Sequence, residues 1–338
     1  MLPERLRDAV HEFRVLPPET NPGNPFWHLR EEASTFRILV SIFQRVDPEV
    51  VVTRLSPSTL SPAPLSKAFD VPHVLLVRGW VNSHNHYEEK RFSGFIEQVV
   101  RMNVRLSTEV FVAFEELREW VSEYRKEKQS PVEVLPNAVD PDVFRSMPKQ
   151  EARRQLGIDE DAFIVGFVGS LSKRHELPTL LRAASCLDKT ELIIVGDGEF
   201  RSVLEKIAAE LSITDRVLFE GRIDHEKVPE YIAAFDVGYG VVSEKKPSNP
   251  IKCYEYLACG RPVVSSRSPE MAFIEEIDAG YLVNGIEREA VAEVIRRFRS
   301  KEENARKSMG ERGREYVTEH ATWQRLGEQL LSSVSERG

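Results

Sequence analysis

Short apolar runs alternate with amphipathic stretches along most of the chain, and this order predicts its secondary structure. After residue 45, the runs PEVVVTRL, HVLLVRG and TEVFVAF are continuous enough for buried strands. Residues 87–106 and 114–127 have the apolar spacing of helices. Because strands that alternate with helices are typical of parallel sheets covered by helices, we predict an α/β fold for this half.

The same alternation begins again near residue 163. The runs that we interpret as strands are FIVGFVGS, ELIIVGDG, VLFEG, VGYGVV, PVVSS and YLVNG. The stretches between them predict helices near residues 177–187, 199–210 and 226–234. Consecutive βαβ units of this kind form a doubly wound, Rossmann-like sheet. The polar stretch NAVDPDVFRSMPKQ has the composition of a linker, so we predict two doubly wound domains with a ligand cleft between them.

A short helix is predicted within SNPIKCYEYLACGRPVVSS, residues 248–266. Ser248 or Asn249 can cap its start, Pro250 suits the first helical position, and the Gly-Arg-Pro sequence ends it. The backbone N–H groups at such a start are unpaired and the helix dipole is positive there. The start of this helix therefore favours a negatively charged neighbour.

Lys252 lies in the first turn of this helix, where a cation is disfavoured by about 0.3–1 kcal/mol. A bound phosphate would remove the conflict. Glu255, three residues on, shares the helix face, so an ammonium and a carboxylate could together hold a diphosphate and a sugar diol. The alternative is a surface Lys–Glu pair without a function, and the pattern of this helix alone leaves both open.

Composition excludes several classes of protein. A chain of 338 residues with 41% hydrophobic residues is long enough for about two domains with real cores. The formal net charge of −8 argues against a nucleic-acid partner. Cys186, Cys253 and Cys259 have neither paired nor metal-type spacing, which argues against a disulfide framework or a zinc site. In VGDGEF the third glycine of a dinucleotide fingerprint is replaced by Arg201, so a dehydrogenase is disfavoured.

The N-terminus MLPERLRDAVHEFR lacks the apolar core of a signal peptide. Nowhere does the sequence approach eighteen consecutive apolar residues. We therefore expect a cytoplasmic protein, and a peripheral association with the inner membrane face stays open.

The succession of motifs carries a resemblance to a known family. LPNAVDPDVF, VGFVGSLSKRHELPTLLRA, LIIVGDGEFRSVLE, VLFEGRIDHEKVPEYIAAFDVG, SNPIKCYEYLACGRPVVSS and AGYLVNG resemble, in order and spacing, the donor half of retaining glycosyltransferases of family 4. The resemblance covers roughly residues 130–330 and is looser in the first half. It implies the GT-B fold, with an acceptor-side domain at 1–145, a nucleotide-sugar donor domain at 146–314 and a helix at about 315–335 that packs back onto the first domain.

The resemblance also implies roles for residues of the second half. Glu255 would accept hydrogen bonds from the ribose hydroxyls, while the turn of Ser248, Asn249 and Pro250 would present backbone amides to the sugar and diphosphate. Lys252 would add a positive charge beside them. Gly221, Arg222 and Ile223 would pack around the nucleotide base.

Several positions depart from the family pattern. Ser170 follows Gly169 where the family has an arginine, and His175 stands where it has a lysine. Lys173 and Arg174 could replace these cations, or they could belong to a solvated loop. The first of the family's paired glutamates is replaced by Pro247.

The departures extend into the first half. The family's strand, glycine-rich loop and helix are not found before residue 45, so the first domain is expected to be trimmed at its first βα unit or to start late. Arg78 stands near the family's histidine and could face a phosphate or carboxylate.

These considerations predict a retaining hexosyl- or glycosyltransferase that uses a nucleoside diphosphate sugar, with UDP or GDP as its nucleotide, and a carbohydrate or lipid-linked acceptor. No metal and no other cofactor is expected, because helix amides and fixed cations can neutralise the leaving group. The predicted catalytic residues are Arg78, Lys252 and Glu255. The predicted donor-binding residues are Gly169, Ser170, Lys173, Arg174, His175, Gly221, Arg222, Ile223, Ser248, Asn249, Pro250, Ile251, Lys252 and Glu255. A sugar-nucleotide epimerase of the same fold and a non-catalytic sugar-nucleotide-binding or partner subunit remain the alternatives.

Overall fold

The first of two parallel sheets lies in the N-terminal half of the chain. A computed structural model describes residues 25–56, 60–80, 93–243 and 249–335. In these ranges the first sheet has four strands in the order β1-β2-β3-β4, namely β1 (Val51–Arg54), β2 (His73–Val77), β3 (Glu109–Val112) and β4 (Val132–Val134). The helices of this half are α1 (Pro25–Val46), α2 (Pro62–Ala68), α3 (Ser93–Leu106) and α4 (Glu115–Ser122).

The second sheet has six parallel strands within the described residues, in the order β10-β9-β8-β5-β6-β7. Its strands are β5 (Phe163–Val168), β6 (Thr190–Val195), β7 (Val217–Gly221), β8 (Val237–Gly240), β9 (Val263–Ser266) and β10 (Gly280–Val283). The helices of this half are α5 (Lys149–Leu156), α6 (Leu177–Ser185), α7 (Arg201–Glu210), α8 (Val228–Ala234), α9 (Ile251–Ala258), α10 (Phe273–Glu276), α11 (Arg288–Arg299), α12 (Glu303–His320) and α13 (Trp323–Ser335). The predicted pair of doubly wound sheets is confirmed.

The apolar runs form strands because both faces of each sheet are covered. Along β5, Val165 and Phe167 pack into one core cluster while Ile164 packs into another on the opposite face. Each alternate position therefore needs an apolar side chain, which is why the run is continuous. Gly166 lies between them, and a Cβ atom there would lie 2.2 Å from the ring of Phe235.

Three sequence-based expectations are wrong in detail. Among the described strands, β1 is at the edge of its sheet and has alternating partly buried and exposed residues, so it is not a buried strand. The helix Pro25–Val46 lies where no helix was predicted. The Pro-rich sequence before it resembles a loop, but a proline suits the first position of a helix. The capping prediction fails for Asn249, since Pro250 is the N-cap of α9 and the structure records no side-chain cap there. Ser248, the other predicted cap, lies outside the described residues.

The last helix returns to the first sheet. Leu326 and Leu330 of α13 form a cluster with Val74 and Phe111 of that sheet. Val139, in the predicted linker, forms a β-bridge with Thr322 just before α13. The domain boundaries at residues 145 and 314 stay a prediction.

Two of the three thiols are enclosed in the second half. Cys253 and Cys259 are buried, and burial raises the pKa of Cys253 to about 11 and that of Cys259 to about 12. Cys186, at the end of α6, is exposed. Among the described helices, none combines the length and apolar character that crossing a bilayer requires.

Candidate functional site

A cavity of about 820 Å³ opens at the carboxyl ends of strands from both sheets. From the first sheet it is lined by residues at the ends of β1 and β2, and from the second by the loop after β5 and the start of α9. Helix α13 completes the wall. Ligands of doubly wound folds bind at this edge of the sheet, so the cavity is the candidate active site.

The cavity gathers most of the predicted site residues. Those that line it are Arg78, Gly169, Ser170, Arg174, His175, Asn249, Pro250, Ile251, Lys252 and Glu255. Lys173, Gly221, Arg222 and Ile223 are described but are not part of its wall. Ser248 and Pro247 lie outside the described residues. The roles of all these residues stay predictions.

Lys252 is buried in the cavity wall, which excludes the interpretation as a surface pair. Its side chain is 7% exposed, with Nζ 3.1 Å from His175 Nδ1 and 4.9 Å from the centroid of the Phe167 ring. Burial lowers the pKa of Lys252 to about 8. The ammonium therefore lies beside an imidazole and an aromatic face, with few protein anions around it.

His175 accepts the hydrogen bond from Lys252. Burial, and after it the charges of Lys252 and Arg174, lowers the pKa of His175 to about 2. A neutral imidazole offers one lone pair, and here the Nδ1 lone pair faces the ammonium. At the position where the resemblance predicts a lysine, the chain thus has a neutral side chain in contact with Lys252.

Glu255 lies one helical turn beyond Lys252 and is partly buried in the same cavity. Burial raises the pKa of Glu255 to about 7, against the opposing effect of the Lys252 charge. A carboxylate in such a place gains from hydroxyl donors, because they replace the water that it lost on burial. A vicinal diol provides two such donors.

The turn that leads into α9 is tied to the first sheet. Asn249 is 5% exposed, and its Nδ2 donates to the carbonyl of Ala113, at the end of β3, at 3.3 Å. The carbonyl of Asn249 accepts a hydrogen bond of 2.5 Å from Nδ2 of Asn137. Asn249 precedes Pro250, the N-cap residue of α9, and does not cap the helix. The helix start is therefore positioned from the opposite side of the cavity.

Arg78 lies in the cavity wall, but most of its donors bind the protein. Its guanidinium donates to the carbonyls of Leu135 and Pro136, at 2.7 and 3.2 Å, and to Oδ1 of Asn137. Burial and the neighbouring charge of Arg54 lower the pKa of Arg78. An arginine side chain has five N–H groups. Three of those of Arg78 bind residues 135–137, so two remain for a ligand.

Asn137 is one of the cavity residues that the sequence did not single out. It links Arg78 to the carbonyl of Asn249, so it joins the first sheet, the linker and the entrance of α9. Its position after a proline in LPNAVDPDVF indicates a turn, because asparagine is a common turn residue, but a turn signal does not identify a partner 112 residues away.

Replacing Asn137 by alanine should weaken the binding of a nucleoside diphosphate by about tenfold, because the carbonyl of Asn249 loses the hydrogen bond from Asn137 that positions the turn. Isothermal titration measures the change. The matched control is Asn284→Ala, which removes a surface hydrogen bond with Arg267 and should leave affinity unchanged. Equal affinities of N137A and wild type would contradict a positioning role.

Two glycines allow the strand ends to converge at the cavity. Gly169 has φ of 145°, and a Cβ there would lie 3.3 Å from Cε of Lys252. Gly196, at the end of β6, has φ of 126°, and a Cβ there would lie 2.0 Å from the carbonyl oxygen of Gly169. The Gly196 N–H donates to the carbonyl of Gly221. Gly221 is therefore linked to the cavity edge without lining it.

Metal ligands are not clustered in the described part of the chain, where no group of three or more His, Cys, Asp or Glu side chains could hold an ion. The positive charge that the described lining offers comes from Lys252 and from arginines.

The chain is similar to proteins of known type. The profile of the family described as glycosyl transferases group 1 matches residues 148–316, half of the chain. A D-inositol 3-phosphate glycosyltransferase of Stackebrandtia nassauensis is 34% identical over 184 residues, 50% of this chain and 40% of that protein. A GDP-mannose-dependent alpha-(1-6)-phosphatidylinositol monomannoside mannosyltransferase of Mycobacterium tuberculosis is 29% identical over 216 residues, 59% of this chain and 54% of that protein. The chain thus spans about half the length of these relatives.

Among solved structures, that of HepE from Anabaena in complex with UDP and glucose matches with a TM-score of 0.72 at 17% identity. The match covers 92% of this chain and 83% of that one. At this identity the likeness concerns the fold, and it confirms the predicted GT-B architecture.

Proposed function

The chain belongs to the glycosyl transferases group 1 family, and from this premise we propose that it moves a glycosyl group from a nucleoside diphosphate sugar to an acceptor hydroxyl. We further propose that the reaction retains the anomeric configuration and needs no metal. The observation that carries the proposal is the buried ammonium of Lys252 at the start of α9, inside the cavity between the two sheets.

Donor binding follows from the order of groups along α9. The diphosphate would lie at the helix start, where unpaired amides and Lys252 supply positive charge. The ribose would lie one turn deeper, with its hydroxyls on Glu255. The relatives support nucleotide donors of this kind, since one of them is a GDP-mannose-dependent mannosyltransferase and HepE binds UDP in its solved structure.

Catalysis would be mainly electrostatic. As the glycosidic bond to the diphosphate breaks, negative charge grows on the leaving group and positive charge on the sugar. Lys252 and the start of α9 are already fixed where the negative charge develops, so they stabilise the transition state without reorganising. A dry cavity between the sheets would also limit hydrolysis of the donor.

Titration with UDP and GDP, followed by a transfer assay with the nucleotide that binds, tests the proposal. Binding of one nucleotide with transfer or slow hydrolysis of its sugar donor is the expected result. Binding without turnover would favour a non-catalytic subunit, and conversion of one sugar nucleotide into another would favour an epimerase. If neither nucleotide binds, the proposed function is wrong.

Replacing Glu255 by alanine should weaken nucleotide affinity by about 1–3 kcal/mol, since two ribose hydroxyls lose a charged acceptor. Because the pKa of Glu255 is about 7, wild-type affinity should also fall as the carboxylate is protonated below that pH. Calorimetry at several pH values measures both effects. The exposed residue Glu205 of α7 provides the control, as E205A should behave as wild type. If E255A binds the nucleotide as tightly as wild type, and its affinity falls in the same way at acidic pH, Glu255 does not contact the nucleotide.

A further inference from the structure

The cavity continues beyond the proposed donor site towards the first sheet. This part, which we call the acceptor half, is lined by Arg54 and Arg78 and by an apolar wall. The apolar wall consists of Leu76, Trp323, Leu326 and Leu330. Trp323 is 45% exposed although it borders the cavity. The acceptor half thus combines two guanidinium groups with apolar surface.

Arg54 has no structural use in the described chain. It is the last residue of β1 and is exposed in the cavity wall. Neither a hydrogen bond nor an ion pair joins its guanidinium to any residue that the structure describes. An arginine that lines a cavity and has no protein partner is suited to bind a ligand anion. Its planar guanidinium group presents parallel N–H donors that match the oxygens of a phosphate or carboxylate.

The neighbouring charges are not compensated. Arg54 and Arg78 are close enough for the charge of Arg54 to lower the pKa of Arg78, after the larger effect of burial. Among the described residues that line the cavity, Glu255 is the one carboxylate, and it lies on α9 in the opposite half. Two cations that repel each other across a cavity cost free energy until an anion lies between them.

We propose that the acceptor substrate carries a phosphate or carboxylate group, which binds to Arg54 and to the N–H groups of Arg78 that the protein leaves unused. The assignment rests on the proposed function, since it concerns the second substrate of that reaction. It gives Arg54 a role in acceptor specificity and separates its role from that of Lys252, which serves the diphosphate of the donor.

The test uses the full chain saturated with UDP, or with GDP if that nucleotide binds, so that the donor site is occupied. Two pairs of probes distinguish the source of the anion. Glycerol 3-phosphate is compared with glycerol, and phosphatidylcholine vesicles with phosphatidylinositol are compared with vesicles of phosphatidylcholine alone. Preference for the anionic member in the soluble pair indicates a soluble acceptor, and preference confined to the vesicle pair indicates a lipid-linked one. Either supports the proposal.

Arg54→Gln should weaken binding of the preferred anionic probe by about tenfold or more. Arg54→Lys should weaken it less, because lysine keeps the positive charge although it lacks the planar fork. Lys128→Gln, which removes one exposed charge outside the cavity, is the matched control and should have no effect. Nucleotide affinity should be the same in all four proteins. Equal binding of anionic and neutral probes, or R54Q equal to wild type, would overturn the inference while nucleotide binding stands. If the wild-type protein binds neither UDP nor GDP, the proposed function itself is refuted.

Discussion

Replacing Lys252 by methionine should lower the rate of glycosyl transfer by about 100-fold, because the transition state loses its fixed positive charge at the leaving diphosphate. Methionine has a similar length and is apolar, so the buried site beside Phe167 should remain filled. The measurement is kcat and KM for the donor in a transfer assay. A loss mainly in kcat is expected if the charge acts on the transition state more than on the bound donor.

The pH dependence distinguishes the lysine charge from a packing effect. The pKa of Lys252 is lowered to about 8, so its charge is present below that pH and is lost as the pH rises through it. Wild-type activity should therefore decline above about pH 8, and K252M should lack this limb. Lys206→Met, on the exposed face of α7, serves as the control. An alkaline limb that persists in K252M would contradict the assignment of the charge to Lys252.

Replacing Asp236 by alanine should reduce the free energy of unfolding of the second half by about 3–5 kcal/mol. Asp236 is 5% exposed, and its carboxylate lies 2.9 Å from Lys149 and 2.8 Å from Arg153. It also accepts the backbone N–H of Ile164 at 2.9 Å. Arg153 is fully buried, so removal of the carboxylate would leave its guanidinium without the opposing charge.

Urea unfolding followed by circular dichroism measures this change. Burial alone would raise the pKa of Asp236, but the charges of Lys149 and Arg153 hold that pKa below its ordinary value of 3.8. The contribution of Asp236 is therefore present above about pH 3.8 and is lost as the pH falls below it. Glu293→Ala, which breaks an exposed pair with Arg296 on α11, should cost less than about 1 kcal/mol. A D236A variant as stable as E293A would show that the buried network is not needed.

The sequence predicted the sheets well because buried parallel strands require apolar side chains on both faces. It also predicted α9, since its ends are marked by proline and glycine. It did not predict α1, whose start resembles a loop, nor the exposed edge of β1. Local pattern cannot show which side of an edge strand lacks a neighbour.

The site was predicted in part, for a similar reason. The residues of α9 lie together in sequence, so their approach to one cavity follows from one helix. Asn137 and Asn249 are 112 residues apart, and no local rule relates them. Arg78 was expected to face a ligand, but its guanidinium also donates hydrogen bonds to the carbonyls of Leu135 and Pro136. These bonds depend on the tertiary position of the linker, which local sequence does not reveal. Burial of Lys252 likewise depends on β5 and on the turn that carries His175.

One of the three cysteines is exposed and two are buried, so the native protein can be labelled at a single site. Alkylating reagents attack the thiolate, which Cys253 and Cys259 scarcely form near neutral pH because burial holds their pKa values at about 11 and about 12. A maleimide dye should therefore attach to Cys186 alone, on the surface at the end of α6. Fluorescence from that position could follow ligand-induced motion without any engineered cysteine.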